Sequence, residues 1–127
     1  DGDSMIHFVE PDILHMGDVF FNGLFPVIDP VSGGSVRGYL EAMKDTLKIV
    51  DTDTKIIPGH GDMATKAGLE KQIAMLDGAI KAVEPRTKAG DTLQQTIAKK
   101  PLKPWAGFAW SFINEDAFST TLYNGLK

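Results

Sequence analysis

A histidine held between two glycines is the residue in this sequence best suited to chemistry. It lies in the stretch Lys55-Ile56-Ile57-Pro58-Gly59-His60-Gly61-Asp62, which begins as a β-type run. We expect Pro58 to end that strand, because proline has no N–H to give to a β-ladder. The two glycines permit a sharp turn that presents His60 outward. Ligands of α/β sheets gather just beyond the carboxyl ends of strands. His60 is therefore a metal ligand or general base, or else a loop histidine with no chemical role.

A carboxylate stands in a comparable position earlier in the chain. Asp18 follows a predicted strand over residues 13–16, which we expect Gly17 to end, and it precedes the apolar run Val19-Phe20-Phe21. An unpaired buried charge costs on the order of several kcal/mol, and a bound metal ion would resolve that conflict. An aspartate that caps a turn through its own backbone explains the position equally well.

The other two histidines are less suited to a reaction. His7 lies in the middle of a predicted strand over residues 5–9, and His15 points away from the side of Asp18 if its strand continues. We expect both to be packed or surface residues. The sequence has no dinucleotide-type glycine loop and no Gly-x-Ser-x-Gly motif. Asp18 and His60 remain as two ligands, whereas a catalytic zinc site needs three and an open position.

Composition excludes several classes of function. The chain has 127 residues, so residues 1–127 are predicted to form a single domain. The net charge of −4 argues against a nucleic-acid partner, because no basic stripe collects phosphates. No apolar run approaches the roughly 20 residues that span a bilayer, which argues against a membrane protein. The absence of cysteine excludes disulfides, thiolate metal ligands and a cysteine nucleophile.

Turn residues and apolar spacing predict the order strand, strand, helix, strand and then three helices. The first 18 residues read as a hairpin, with turn chemistry over residues 1–4 and 10–12. The predicted helices cover residues 35–50 with Ser35 as N-cap, a segment that starts after residues 62–65 and is bent or ended by Pro85, residues 92–99, and residues 115–126 with Asn114 as N-cap.

Two further stretches bear on a binding site. Residues 22–34 form a long loop with several large apolar side chains, and we expect it to form a wall of the active-site cleft. Four aromatic residues crowd into residues 105–112, namely Trp105, Phe108, Trp110 and Phe112. They predict a cluster that seals a helix onto the core, with a ligand cage as the alternative.

Three segments together resemble the C-terminal half of the metallo-β-lactamase-fold hydrolases. They are residues 13–23 (Ile-Leu-His-Met-Gly-Asp-Val-Phe-Phe-Asn-Gly), residues 32–35 (Ser-Gly-Gly-Ser) and residues 56–61 (Ile-Ile-Pro-Gly-His-Gly). The resemblance covers about residues 1–100. It implies an α/β (α+β) fold that is half of an αββα sandwich, a sheet with helices on one face.

The resemblance also implies a metal site and a reaction. In that family the Gly-Asp aspartate bridges two metal ions and the Gly-His-Gly histidine binds the second, so these roles fall to Asp18 and His60. Zinc is the expected metal, and iron or manganese also suits carboxylate and imidazole. The reaction would be hydrolysis of an ester, thioester or amide bond in a small-molecule substrate. The family's His-x-His-x-Asp-His motif is absent from these residues, so we expect the isolated chain to be inactive.

Half of a sandwich implies a partner. A sheet with helices on one face leaves its second face bare, and exposing several hundred Å² of apolar surface costs on the order of 10 kcal/mol. We therefore expect a homodimer, or an upstream half-domain that covers this face and brings the missing ligands. The alternative function is a non-catalytic, truncated module retained as an oligomeric interaction or binding domain.

Overall fold

The computed structural model describes residues 3–30 and 32–127, and this part of the chain forms a three-stranded sheet, four α-helices and one 3₁₀ helix. The elements in chain order are β1 (Ile6–Phe8), β2 (Ile13–Phe21), α1 (Val36–Leu47), β3 (Lys55–His60), α2 (Lys66–Lys88), α3 (Leu93–Ala98), the 3₁₀ helix (Lys103–Phe108) and α4 (Glu115–Leu126). The fold is mixed α+β, as predicted. Of the turn predicted over residues 1–4, the first two residues lie outside the described part.

The order of strands in the sheet decides which residues can meet. β2 is central; it pairs antiparallel with β1 and parallel with β3. β1 and β2 therefore form the predicted hairpin, and α1 makes the crossover that returns the chain for the parallel pairing of β3. Because β2 and β3 are parallel, their carboxyl ends lie at the same edge of the sheet. Asp18 and His60 both lie toward that edge.

The second strand is longer than predicted, and Gly17 does not end it. Gly17 adopts a left-handed backbone with φ of +54° and forms part of an irregularity inside β2. From Gly17 to Phe21 β2 advances four residues, while β3 advances two, from Pro58 to His60. A bulge of this kind lets a glycine lie within a strand and changes the alternation of side chains. As a result His15 and Asp18 are both exposed, although a regular strand would place them on opposite faces.

The third strand is also longer than predicted, because Pro58 lies inside it. β3 continues to His60, with Pro58 opposite Gly17 of β2. β3 is an edge strand, and an edge strand tolerates a residue that has no N–H for the ladder. His60 is thus the last residue of a strand and does not lie in a loop.

The helices start where the sequence predicts, and two of them end elsewhere. The Ser35 side chain caps α1 by accepting a hydrogen bond from the Gly38 N–H at 3.0 Å, but α1 ends at Leu47, three residues before the predicted end. Pro85 was predicted to bend or end the helix; α2 runs through it to Lys88, so the second alternative was wrong. The missing N–H of Pro85 falls in the last turn of α2, where its loss disturbs little of the helix.

The last two α-helices agree with prediction because their start signals are local. Thr92 and Gln95 form a reciprocal capping box at the start of α3. The Asn114 side chain accepts from the Ala117 N–H at 2.8 Å at the start of α4. None of the helices in residues 3–30 and 32–127 combines the length and apolar content that crossing a bilayer requires.

The two faces of the sheet are covered differently. Leu14, Met16 and Ile56 are buried and belong to the one core cluster that the helices also contribute to. On the other face Ile6 is 56% and Phe8 is 52% exposed. Ile6 pairs with His15, which in turn pairs with Ile57, so these side chains extend the same open face across all three strands. The helices therefore cover one face, as the sequence analysis expects.

Candidate functional site

The two residues predicted as metal ligands lie side by side. The Asp18 Oδ1 atom is 3.6 Å from the His60 Nε2 atom. This separation is longer than a direct hydrogen bond but short enough for both atoms to contact one ion between them. The side chains are 61% and 47% exposed, respectively. Asp18 and His60 thus form an acid–imidazole pair that remains accessible to solvent.

The glycines beside His60 make this close approach possible. A Cβ atom at residue 59 would overlap the Asp18 Oδ1 atom and the Gly17 carbonyl, so only glycine fits there. Gly61 has a φ of +91°, and a Cβ atom there would come within 2.5 Å of the Asn22 carbonyl oxygen. The Gly-His-Gly pattern predicted a sharp turn that would involve both glycines. In the structure Gly59 allows the two strands to approach, and only Gly61 turns the chain.

Asn22 holds the end of β3 against the end of β2. Its backbone N–H donates to the His60 carbonyl at 3.0 Å, and its side-chain amide donates to the Asp62 carbonyl at 2.9 Å. Residues on both sides of the Gly61 turn are therefore tied to the one residue that directly follows β2. This fixes the backbone that carries the His60 side chain.

Aromatic rings hold the His60 imidazole. Phe21, the residue opposite His60 in β2, stacks on it with ring centroids 4.6 Å apart and an interplanar angle of 10°. The ring centroid of Trp110 is 5.6 Å from that of the imidazole, and the Trp110 indole N–H donates to the Phe25 carbonyl at 2.9 Å. Such stacking restricts rotation of the imidazole, so the Nε2 atom stays directed toward Asp18.

The aromatic cluster of residues 105–112 has two functions. Phe108 packs on Phe25 and Trp105 lies against Gly78 of α2, as expected for a cluster that seals the core. Trp110 instead contacts His60, and Phe112 contacts Trp110 at the surface. The contact of Trp110 with His60 was not predicted from the sequence, because no local pattern reveals a contact between residues so far apart in the chain.

Tyr39 is a second site residue that the sequence analysis missed, because it fits the apolar stripe of the first helix. Its hydroxyl donates to the Asp18 backbone carbonyl at 2.8 Å. Burial raises the pKa of the Tyr39 phenol well above its usual value, and the nearby charges of Asp18 and Asp3 raise it further. The phenol therefore stays protonated, and remains a donor, beyond the pH near 10 at which a free phenol ionises.

A cleft of about 470 Å³ adjoins Asp18 on the side of α1. Asp18 and Tyr39 lie on its border, and Val27 and Ile28 of the long loop line it. This location agrees with the prediction that residues 22–34 form a wall of a cleft. The wall is mainly apolar next to an acidic edge, which suits the organic part of a small ligand.

The donor set fits part of a metal site. Carboxylate and imidazole are ligands that zinc, iron and manganese share. Within residues 3–30 and 32–127, however, no group of three or more His, Cys, Asp or Glu side chains is arranged to hold a metal ion. His7 pairs with Asp12, and the His15 Nδ1 atom accepts from the Gly17 N–H at 3.1 Å, so neither joins the pair. The two predicted ligands are brought together without a third.

Comparison with known proteins finds relatives of unassigned function. No protein-family model matches the chain. It is similar to an uncharacterized protein of Mycobacterium bovis and to two uncharacterized proteins of Mycobacterium tuberculosis, each 35% identical over 63 residues. The match covers 50% of this chain, and it spans only 27% of the length of the curated relatives.

Proposed function

We propose that this chain supplies Asp18 and His60 to the centre of a metal-dependent hydrolase that acts on an ester, thioester or amide bond. One observation carries the proposal: a carboxylate and an imidazole from adjacent parallel strands meet at 3.6 Å while both remain open to solvent. Further ligands come from outside these residues, because a catalytic zinc site takes at least three from protein.

The chain's own residues hold the two ligands in position. Asp18, through its carboxylate, and His60, through its imidazole, would be ligands of the metal centre, with zinc as the expected metal and iron or manganese as substitutes. Phe21 and Trp110 orient the imidazole, and the Tyr39 hydroxyl fixes the backbone of Asp18. When bound, the metal supplies a water whose pKa is lowered to near neutrality, able to attack a carbonyl.

The face of the sheet that the helices leave open has exposed apolar side chains, so we expect another protein surface to pack on it. Ile6 and Phe8 expose more than half of their surface there, and soluble monomers seldom expose contiguous apolar patches of this kind. We propose that either a second copy of this chain or an upstream half-domain packs on the face and brings the missing ligands. Light scattering on the isolated chain is expected to show a dimer. A monomer that remains stable at high concentration would exclude the second copy and leave only the half-domain.

A non-catalytic module is the second candidate. It is favoured by the number of ligands, since two donors bind zinc weakly and the same open face suits an oligomeric interaction domain. In that case Asp18 and His60 are remnants with no role in a reaction. The two candidates differ in what removal of both side chains does to the complete protein.

The test begins with the coding sequence upstream of Asp1. We expect it to encode His-x-His-x-Asp-His, and we expect the longer protein to hydrolyse ester or thioester substrates when loaded with zinc. The double variant Asp18→Ala/His60→Ala should lose that activity, while His7→Ala, the matched control, should keep it. Unchanged hydrolysis in the double variant would favour the non-catalytic module and overturn the assignment of these two residues.

A further inference from the structure

A tight turn after the 3₁₀ helix presents an exposed aromatic ring. The backbone N–H of Trp110 donates to the Ile113 carbonyl at 3.0 Å, and the backbone N–H of Ile113 donates back to the Trp110 carbonyl at 3.1 Å. Two reciprocal backbone bonds fix the four-residue turn. Phe112 lies within it and is 81% exposed, the highest value among the large apolar residues in the described part of the chain.

This ring continues a line of aromatic contacts that starts at the candidate metal ligand. The rings of His60, Phe21 and Trp110 contact one another, and the Trp110 centroid is 5.6 Å from that of His60 and 6.1 Å from that of Phe21. Trp110 also meets Phe112 edge-on, with centroids 5.2 Å apart and an interplanar angle of 64°. Trp110 is half-buried and fixed through its indole N–H, so it links the imidazole to the surface ring. An edge-on contact leaves the faces of Phe112 open to a further ring.

The size of the exposed surface suits a small group and not a protein. An aromatic side chain has about 150–250 Å² of surface, and Trp110 is already half-buried, so the two rings together offer roughly 300 Å² at most. A stable protein interface takes about 800 Å² from each partner. The turn can therefore hold one flat group of a small molecule, at a place where one end of that molecule reaches His60.

We propose that Trp110 and Phe112 form an aromatic platform that binds a planar aromatic group of the substrate. The inference rests on the proposed function, because it treats the compound on the platform as the one whose ester, thioester or amide bond lies at Asp18 and His60. The platform would then select substrates that carry an aromatic ring on one side of the bond to be cleaved. Phe112 and Trp110 act here as binding residues and take no part in the cleavage.

The platform can be tested on the metal-free chain with an uncleaved probe, N-benzylacetamide, and with N-(cyclohexylmethyl)acetamide as its non-aromatic match. We expect the benzyl probe to shift the indole N–H resonance of Trp110 in a saturable way. The variant Trp105→Phe identifies that resonance by removing the other indole. The cyclohexyl probe should bind several-fold more weakly, and equal binding of both probes would overturn the aromatic class.

Two variants locate the probe. Phe112→Ala should weaken its binding about threefold to tenfold, the worth of one aromatic pair, whereas Phe8→Ala, which removes an exposed phenylalanine of the sheet, should leave it unchanged. Equal effects of both, with unchanged circular dichroism and melting, would refute the platform.

A nuclear Overhauser effect between the probe's acetyl methyl protons and the His60 ring protons would link the platform to the site. If the benzyl group binds on the platform without this contact, the substrate role is refuted. Because no metal is present, these results do not depend on whether the complete protein hydrolyses a substrate, so the failure of either proposal is separately visible.

Discussion

The sheet carries two Asp–His pairs, one near each end of β2, and their surroundings differ. At the amino end the His7 Nε2 atom lies 3.1 Å from the Asp12 Oδ1 atom, and the Thr54 hydroxyl lies 3.1 Å from both Asp12 carboxylate oxygens. Toward the carboxyl end Asp18 faces His60 at 3.6 Å. Within residues 3–30 and 32–127, the Asp18 carboxylate accepts no hydrogen bond from another side chain or backbone group.

The difference separates a structural pair from a candidate reactive one. The carboxylate of Asp12 has partners within a hairpin turn and a neighbouring loop, and a cation would have to compete with them. Asp18 is held through its backbone, by the Tyr39 hydroxyl, while its carboxylate faces the His60 imidazole at 3.6 Å. A metal ligand must be positioned by the groups behind it and still have lone pairs open to the ion, and Asp18 has more of its carboxylate open than Asp12 does.

The largest expected effect is on metal binding, measured with matched changes at the two aspartates. Asp18→Asn should weaken zinc binding by the chain on the order of 100-fold, since changes even to groups behind the ligands cost about 10–100-fold. Zinc titration followed by the His60 ring resonances measures this loss. Asparagine tolerates the left-handed backbone at residue 12, where φ is 51°. The variant Asp12→Asn should therefore leave the titration unchanged.

The same titration can show that the Asp12–His7 and Asp18–His60 pairs do not differ in metal binding. If Asp12→Asn weakens zinc binding as much as Asp18→Asn does, the two pairs do not differ in the way proposed. If zinc shifts the His7 ring resonances more than those of His60, the metal binds at the amino end of β2, and the proposed site at Asp18 and His60 is wrong.

The second effect is on stability and concerns the approach of the two strands. Gly59→Ala inserts a Cβ atom against the Asp18 Oδ1 atom and the Gly17 carbonyl. Overpacking of this kind costs about 1–3 kcal/mol, which urea unfolding should detect. Gly107→Ala is the matched control, because a Cβ atom there meets nothing within 4 Å. An equal loss in both variants would mean that the strand approach does not depend on Gly59.

The third effect is a loss of stability at Thr54, beside Asp12 at the amino end of β2, and metal binding should stay intact. Thr54 is 1% exposed, donates toward Asp12 and accepts from the Asp51 N–H at 3.1 Å. Thr54→Val should cost about 1–2 kcal/mol of unfolding free energy, because a buried donor and acceptor are lost together. Thr52→Val, at an exposed position of the same loop, should cost almost nothing. If the loss of the Thr54 hydroxyl also changes zinc binding, the two ends are coupled.

Much of the fold could be predicted because its signals are local. The caps at Ser35, Thr92 and Asn114 each lie within three residues of the backbone N–H that they accept from. The α+β class and the order of elements follow from such signals together with apolar spacing. The ends of β2 and β3 were predicted wrongly because glycine and proline were taken to end strands, whereas the bulge at Gly17 and the edge position of Pro58 keep both within the sheet.

The site could be predicted only in part. Asp18 and His60 were proposed as ligands because each follows an apolar run close to a glycine, and the structure brings the two side chains within 3.6 Å. Their convergence depends on parallel pairing, which the helix between the strands permits but does not guarantee. Tyr39 and Trp110 were not assigned to the site, because both approach it from elements whose local pattern indicates only packing.

At neutral pH the smallest effect is expected at Tyr39, the group that fixes Asp18 and has no counterpart beside Asp12. Tyr39→Phe removes one neutral hydrogen bond to the Asp18 carbonyl and should cost about 0.5–1 kcal/mol of unfolding free energy. The pH dependence is more specific. Because burial raises the pKa of the folded Tyr39 above the unfolded value of about 10, the unfolded state alone releases the proton just above that pH.

The contribution of the protonated Tyr39 phenol is therefore complete below about pH 10 and is lost as the pH rises further. The loss in the wild-type chain should approach about 1.4 kcal/mol per pH unit, and Tyr39→Phe should lack this part of the slope. Urea unfolding at pH 9, 10 and 11 measures it, and other groups cancel because both chains share them. Parallel slopes in the two chains would mean that the phenol ionises freely and does not hold Asp18 from a buried position.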